Sequence, residues 1–170
     1  MTADPRPVLL TGASGFVGRY LYPALVAAGY RVRCGSRSPE RARQELPGRE
    51  WVALDVEQPH TLEPALAGCR AAIYLVHRIS GEPGYEGREL AAAVDFRSAA
   101  ALAGLERVVY LGAVEPAGKP SRHLRARLET GRLLREGGVP TVELRAAMIP
   151  GAGGSSWRMV RDLAARLPAM

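Results

Sequence analysis

Three glycines at three-residue spacing, Gly12, Gly15 and Gly18, follow directly on the apolar run Val8 to Leu10. Across Thr11-Gly12-Ala13-Ser14-Gly15-Phe16-Val17-Gly18 the chain passes from strand-forming to helix-forming residues, the context that gives a glycine pattern meaning. Gly12 permits a tight turn, Gly15 lets backbone N–H groups approach phosphate oxygens, and Gly18 lets a helix pack closely on a sheet. The unpaired N–H groups and positive dipole end of that helix favour an anion. Gly12, Ala13, Ser14, Gly15, Phe16, Val17 and Gly18 are therefore the expected cradle for the pyrophosphate of a dinucleotide. The alternative is a strand-to-helix turn that holds nothing.

The second strand decides which dinucleotide. A carboxylate at its end would bind a free ribose 2′-hydroxyl. The strand ends instead Cys34-Gly35-Ser36-Arg37-Ser38, a guanidinium flanked by hydroxyls, which suits a 2′-phosphate through charge-assisted bonds. Arg37 with Ser36 predicts NADP, with NAD as the alternative; Arg33 is a competing cation or a solvated strand residue. Asp55 and Val56 follow the third strand, beside an expected adenine; Asp55 is equally a turn residue. Leu75 and His77 end the fourth strand, where ligands of open α/β sheets lie beyond the strand carboxyl ends.

Short β-branched or leucine-rich runs alternate with longer amphipathic stretches, the pattern of a doubly wound, Rossmann-type parallel α/β sheet with helices on both faces. Strands are predicted at Val8–Thr11, Arg31–Gly35, Trp51–Leu54, Ala71–Val76, Val108–Leu111 and Thr141–Leu144. Helices are predicted at Phe16–Ala28, Pro39–Leu46, Thr61–Leu66, Tyr85–Ala103, Arg122–Arg135 and Ser155–Leu167, with Gly29, Gly68, Gly104 and Gly137-Gly138 as C-caps. No repeat or linker divides residues 1–170, so one domain is expected.

Composition narrows the partners. The net charge is +6, and 22 of the 23 basic residues are Arg, spread along the chain without interleaved aromatics, which argues against a nucleic-acid surface. No run approaches a membrane span and no signal pattern opens the chain, so a cytoplasmic protein is expected. Cys34 and Cys69 stand alone, suggesting neither a disulfide framework nor a metal site.

The opening Leu-Leu-Thr-Gly-Ala-Ser-Gly-Phe-Val-Gly, the Leu54-Asp55-Val56 step, Arg107 to Gly112 and Glu143-Leu144-Arg145-Ala146 resemble the short-chain dehydrogenase/reductase superfamily. Within it the chain is similar to the atypical branch of NmrA-like and nucleoside-diphosphate-sugar epimerase-like NAD(P)-binding proteins. The resemblance implies a catalytic Tyr-x-x-x-Lys, but none of the six tyrosines is followed by Lys at that spacing. His123 and Arg127 occupy the matching positions, and Gly112-Ala113 replaces the family serine. His123 can move a proton near neutral pH, whereas Arg127 binds anions or hydroxyls without relaying protons; alternatively both lie on an exposed basic helix face.

Relatives usually continue for a hundred or more residues that complete a substrate pocket, so the substrate half is expected to be missing or truncated here. The loop Ile149 to Gly154 resembles one that folds over the nicotinamide. Two functions follow: an oxidoreductase or epimerase-like enzyme on a small organic substrate, or a non-catalytic NADP sensor or partner-binding module. A small-molecule substrate and a homodimer are the expected partners.

Overall fold

The computed structural model describes residues 4–77 and 84–166. Six strands alternate with helices: β1 (Val8–Leu10), α1 (Phe16–Ala27), β2 (Val32–Ser36), α2 (Pro39–Glu45), β3 (Glu50–Ala53), α3 (Leu62–Leu66), β4 (Ala71–Tyr74), α4 (Tyr85–Leu102), β5 (Arg107–Ala113), α5 (Arg122–Arg135), β6 (Thr141–Ala146) and α6 (Ser155–Arg166). The strands form one all-parallel sheet in the order β3-β2-β1-β4-β5-β6. The expected Rossmann-type α/β fold is the observed one. Leu167, the expected end of the last helix, lies outside the described residues.

The central strand β1 shows why its sequence is uninterrupted apolar. Leu9 faces one core layer, while Val8 and Leu10 face the other. A parallel strand buried on both faces has no reason to alternate. The larger layer joins Leu9 and Val108 to α3, α4 and α5 through Leu66, Phe96 and Leu134. At its centre the Tyr74 ring meets Phe96 at 4.8 Å and Tyr110 at 5.9 Å, both edge-on. Burying Phe96 completely contributes about 2–3 kcal/mol. Two of the six tyrosines are thereby core members; burial raises both hydroxyl pKa values, that of Tyr110 to about 12.

The opposite layer packs Val32, Cys34, Trp51 and Ile73 against Leu21, Tyr22 and Leu25 of α1. It ends before the sheet does. Val142 and Leu144 on β6 are 42% and 55% exposed, and Trp157, Met159 and Leu163 on α6 are exposed as well.

Gly29, Gly68 and Gly104 terminate their helices with φ of 85°, 68° and 68°, the left-handed conformation expected of C-caps. Gly137 and Gly138 do not share that conformation, and the reason is packing. A Cβ at Gly137 would stand 3.2 Å from the Arg97 Cβ, so the glycine lets the end of α5 approach α4. Arg97 secures the approach by donating to the Leu133 carbonyl at 3.1 Å.

Candidate functional site

The glycine segment turns at Gly12, whose φ of 64° favours glycine, and Gly15 becomes the N-cap of α1. No side chain caps that helix and its first turn carries no acidic residue, so its N–H groups and positive end remain available at the mouth of the sheet. Gly18 answers a demand within the loop itself: a Cβ there would run into the Gly12 carbonyl oxygen and lie 2.7 Å from the Ala13 Cα. Thr11, fully buried, accepts the Leu75 N–H on its Oγ1 at 2.9 Å and thereby ties the end of β1 to the end of β4.

A cleft of about 550 Å³ opens above this segment, lined in its middle by Gly12, Ser14, Gly15, Phe16, Val17 and Gly18. Ala13 does not line it: the methyl group is completely buried in the core beneath the loop. Toward β2 and β3 the lining continues through Ser36, Arg37, Asp55, Val56 and Glu57. Toward β4, β5 and β6 it continues through Leu75, Val76, His77, Leu111, Arg127 and Ala146 to Ile149.

At the first end the two candidate cations separate. The exposed Arg37 side chain lines the cleft and makes no hydrogen bond or ion pair to the described residues. Arg33 is neither solvated nor in the cleft. Its Nε donates to Glu50 at 2.7 Å, and Nη1 donates to the Ala65 and Ala67 carbonyls at 3.2 and 2.7 Å, sealing the C-terminal end of α3. Parallel pairing of Arg33 with Glu50 makes this diversion possible, and only the ladder register reveals it. Asp55 serves its turn while facing the cleft: its carboxylate accepts the Glu57 N–H at 3.1 Å, and Thr61 bridges to its backbone. Gly35 makes room here, since a Cβ would strike the Leu54 side chain.

At the other end Arg127 and His123 also separate. Arg127 reaches the cleft, and its Nη2 donates to the Leu111 and Gly112 carbonyls at 3.0 and 3.1 Å. Its Nε is buried and makes no hydrogen bond to the described residues. His123 does not line the cleft; its ring lies 6.0 Å from the His77 ring, which does. Both side chains are half-buried on α5. One helical turn separates them on α5. His77 is exposed at the rim, yet shielding of its ring from water, followed by the nearby Arg127 charge, lowers its pKa to about 4.

The loop after β6 closes this end over α1. A Cβ at Gly151 would lie 2.6 Å from the Phe16 ring, and the Tyr20 hydroxyl donates to the Ala152 carbonyl at 3.1 Å. Phe16 and Tyr20 themselves meet edge-on at 5.4 Å. Ala147 and Met148 of this loop were not singled out by sequence; their place in the cleft comes from the path of the chain after β6.

The NAD(P)H-binding family profile matches residues 12–144, the stretch from the glycine turn into β6. The chain belongs to the NAD(P)H-binding family. Its solved neighbours carry the short-chain dehydrogenase/reductase fold. A superfamily member from Agrobacterium tumefaciens with bound NAD is 25% identical, with a TM-score of 0.68 over 81% of this chain and 48% of that one. Triphenylmethane reductase from Citrobacter, complexed with NADP(H), is 23% identical, with a TM-score of 0.72 over 84% of this chain and 50% of that one. Among curated relatives, dihydroflavonol 4-reductase of Hordeum vulgare is 36% identical over 85 residues, 44% of this chain and 24% of that protein. Cinnamoyl-CoA reductase 1 of Oryza sativa subsp. japonica is 31% identical over 115 residues, 63% of this chain and 34% of that protein. The chain thus spans about half the length of these solved neighbours, and its matches span a quarter to a third of the curated relatives.

The cleft fits a nicotinamide dinucleotide on this chain's own features. Uncapped helix N–H groups stand at its centre and, among the described residues, an unpaired guanidinium stands at one end and a buried guanidinium nitrogen without a partner at the other. Among the described residues no helix is long and apolar enough to cross a membrane.

Proposed function

We propose that this NAD(P)H-binding domain holds NADP(H), with the 2′-phosphate at Arg37 and Ser36, and serves reduction of a small organic substrate. The observation that carries the NADP preference is the contrast between two arginines of one strand and its turn. Arg33 is consumed by Glu50 and helix carbonyls, while Arg37 stands in the cleft without a partner among the described residues. A 2′-phosphate supplies the anion that Arg37 lacks, whereas a 2′-hydroxyl does not.

The bound cofactor supplies hydride. On the protein side, Gly12 to Gly18 bind and orient the pyrophosphate, and Arg127 offers its free Nε–H to a ribose or phosphate oxygen. No Tyr-Lys pair stands ready to give a proton, and Arg127 cannot. His77, with its lowered pKa, is neutral at physiological pH and a weak proton donor. A substrate whose developing charge is delocalised, such as a quinone or an enone, needs the least acid assistance and is the favoured class.

The experiment has two arms. Affinity for NADPH should exceed that for NADH by at least about tenfold, and Arg37→Ala should remove most of that ratio; an unchanged ratio refutes the assignment of Arg37. NADPH oxidation is then followed with quinones, enones and sugar nucleotides. Absence of turnover across all three, with binding intact, favours the second reading, a cofactor-sensing module, for which the departure from Tyr-x-x-x-Lys is the supporting observation.

A further inference from the structure

The charges of the cleft are distributed unevenly. Its two lining carboxylates, Asp55 and Glu57, both follow β3, on the side where Arg37 stands. Among the described residues beyond β4, β5 and β6 the lining is apolar apart from His77 and Arg127. Arg127 is held rigidly there, because both acceptors of its Nη2 are backbone carbonyls at the end of β5, and these are neutral. Among the described residues no carboxylate pairs with it. The buried Glu143 pairs with Arg135 and Arg145 through one carboxylate oxygen, and neither it nor the buried Glu89 of α4 lines the cleft. Among the described residues, His77, the Tyr110 hydroxyl and, behind His77, His123 are titratable groups near Arg127.

We infer that Arg127 makes the site discriminate between the redox states of a nicotinamide cofactor, holding the reduced form more tightly than the oxidised form. The inference rests on the proposed reading that such a dinucleotide lies across the cleft with its adenosine half toward Arg37. The oxidised nicotinamide ring carries a positive charge and the reduced ring carries none. A fixed cation with only neutral partners, in a partly buried corner, repels the first and not the second. Contacts from Arg127 to ribose or phosphate are common to both states and cancel in the ratio of affinities, so only the ring charge remains to be read.

The preference has a sign with a consequence. Tighter binding of the reduced form raises the midpoint potential of the bound couple, by about 30 mV for a tenfold ratio in a two-electron couple. The bound cofactor is then a milder reductant than the free one, and occupancy follows the ratio of reduced to oxidised cofactor. That is the differential binding a redox-responsive state requires.

Dissociation constants for NADPH and NADP⁺, measured separately by calorimetry on the full chain, test this directly. The wild-type protein should hold NADPH about tenfold more tightly. Arg127→Gln, which keeps an N–H donor for the Leu111 and Gly112 carbonyls, should bring the two affinities to within about twofold of each other, and Arg127→Met serves as a second neutral variant should the first lose its fold. Arg127→Lys should retain the preference. Because a guanidinium does not titrate, the wild-type ratio should stay constant across the neutral pH range, and a ratio that changes there overturns the assignment to Arg127. Equal wild-type affinities, tighter NADP⁺, or a neutral variant that keeps the full preference each overturn the inference while leaving the NADP(H) site standing. Failure to bind either form overturns both.

Discussion

The Thr11 hydroxyl accepts the Leu75 backbone N–H at 2.9 Å across the gap where the ladder between β1 and β4 gives out. Leu75 lines the cleft and the buried Thr11 immediately precedes its glycine floor, so one hydrogen bond ties floor to wall. Thr11→Val keeps the shape and deletes the acceptor, stranding a partly buried N–H. The expected cost is about 1–3 kcal/mol, read as a lower denaturant midpoint with an unchanged slope. Thr11→Ser should recover most of it.

Gly18→Ala places a methyl group against backbone, the Gly12 carbonyl and the Ala13 Cα, and neither can rotate away. Loss of about 1–3 kcal/mol of stability and at least about tenfold weaker dinucleotide binding are expected, measured by denaturation and calorimetry. Normal binding in a folded Gly18→Ala protein would show that the cradle is looser than its contacts imply.

The lowered pKa of His77 has a defined pH signature. The folded value is about 4 against 6.5 for the ordinary imidazole, so between these values the unfolded chain binds more protons. His77's contribution to stability is therefore complete above about pH 6.5 and is lost as pH falls toward about 4. Exposure at the rim makes the energetic effect modest, so the midpoint itself is the better observable. An NMR titration should find it well below 6.5, and Arg127→Gln should raise it by removing a neighbouring cation.

Glu143 occupies a slot made by two absent side chains. A Cβ at Gly131 would lie 2.8 Å from the Glu143 carboxyl carbon, and one at Gly112 would stand 2.9 Å from its Cγ. Its side chain is 5% exposed and pairs with Arg145 at 3.3 Å and with Arg135. Gly131→Ala should cost about 1–3 kcal/mol in the wild-type chain and much less in a Glu143→Ala background. Additive costs in the double-mutant cycle would separate the two sites.

Much of this protein was legible before any fold was seen, and the reason is locality. The turn at Gly12, the opening of α1 and the left-handed caps at Gly29, Gly68 and Gly104 depend on φ angles and on neighbours a few residues away. The uninterrupted apolar β1 and the alternation of strand and helix likewise carry their burial in the chain itself.

What sequence could not settle was decided by residues far apart in the chain. Arg33 and Arg37 are equivalent cations in a list of residues; the register of β2 on β3 and the end of α3 claim the first and leave the second in the cleft. Gly137 reads as a helix cap and is a packing contact with Arg97. His123 and Arg127 share one helix, but only the approach of α5 to the end of β5 turns Arg127 inward and leaves His123 behind His77. Short-range conformational preference determines where elements begin and end, so the sequence by itself determined the sheet, the glycine loop and their order. Which charged side chain meets a partner depends on distances across the sheet, and those exist only once the chain has folded.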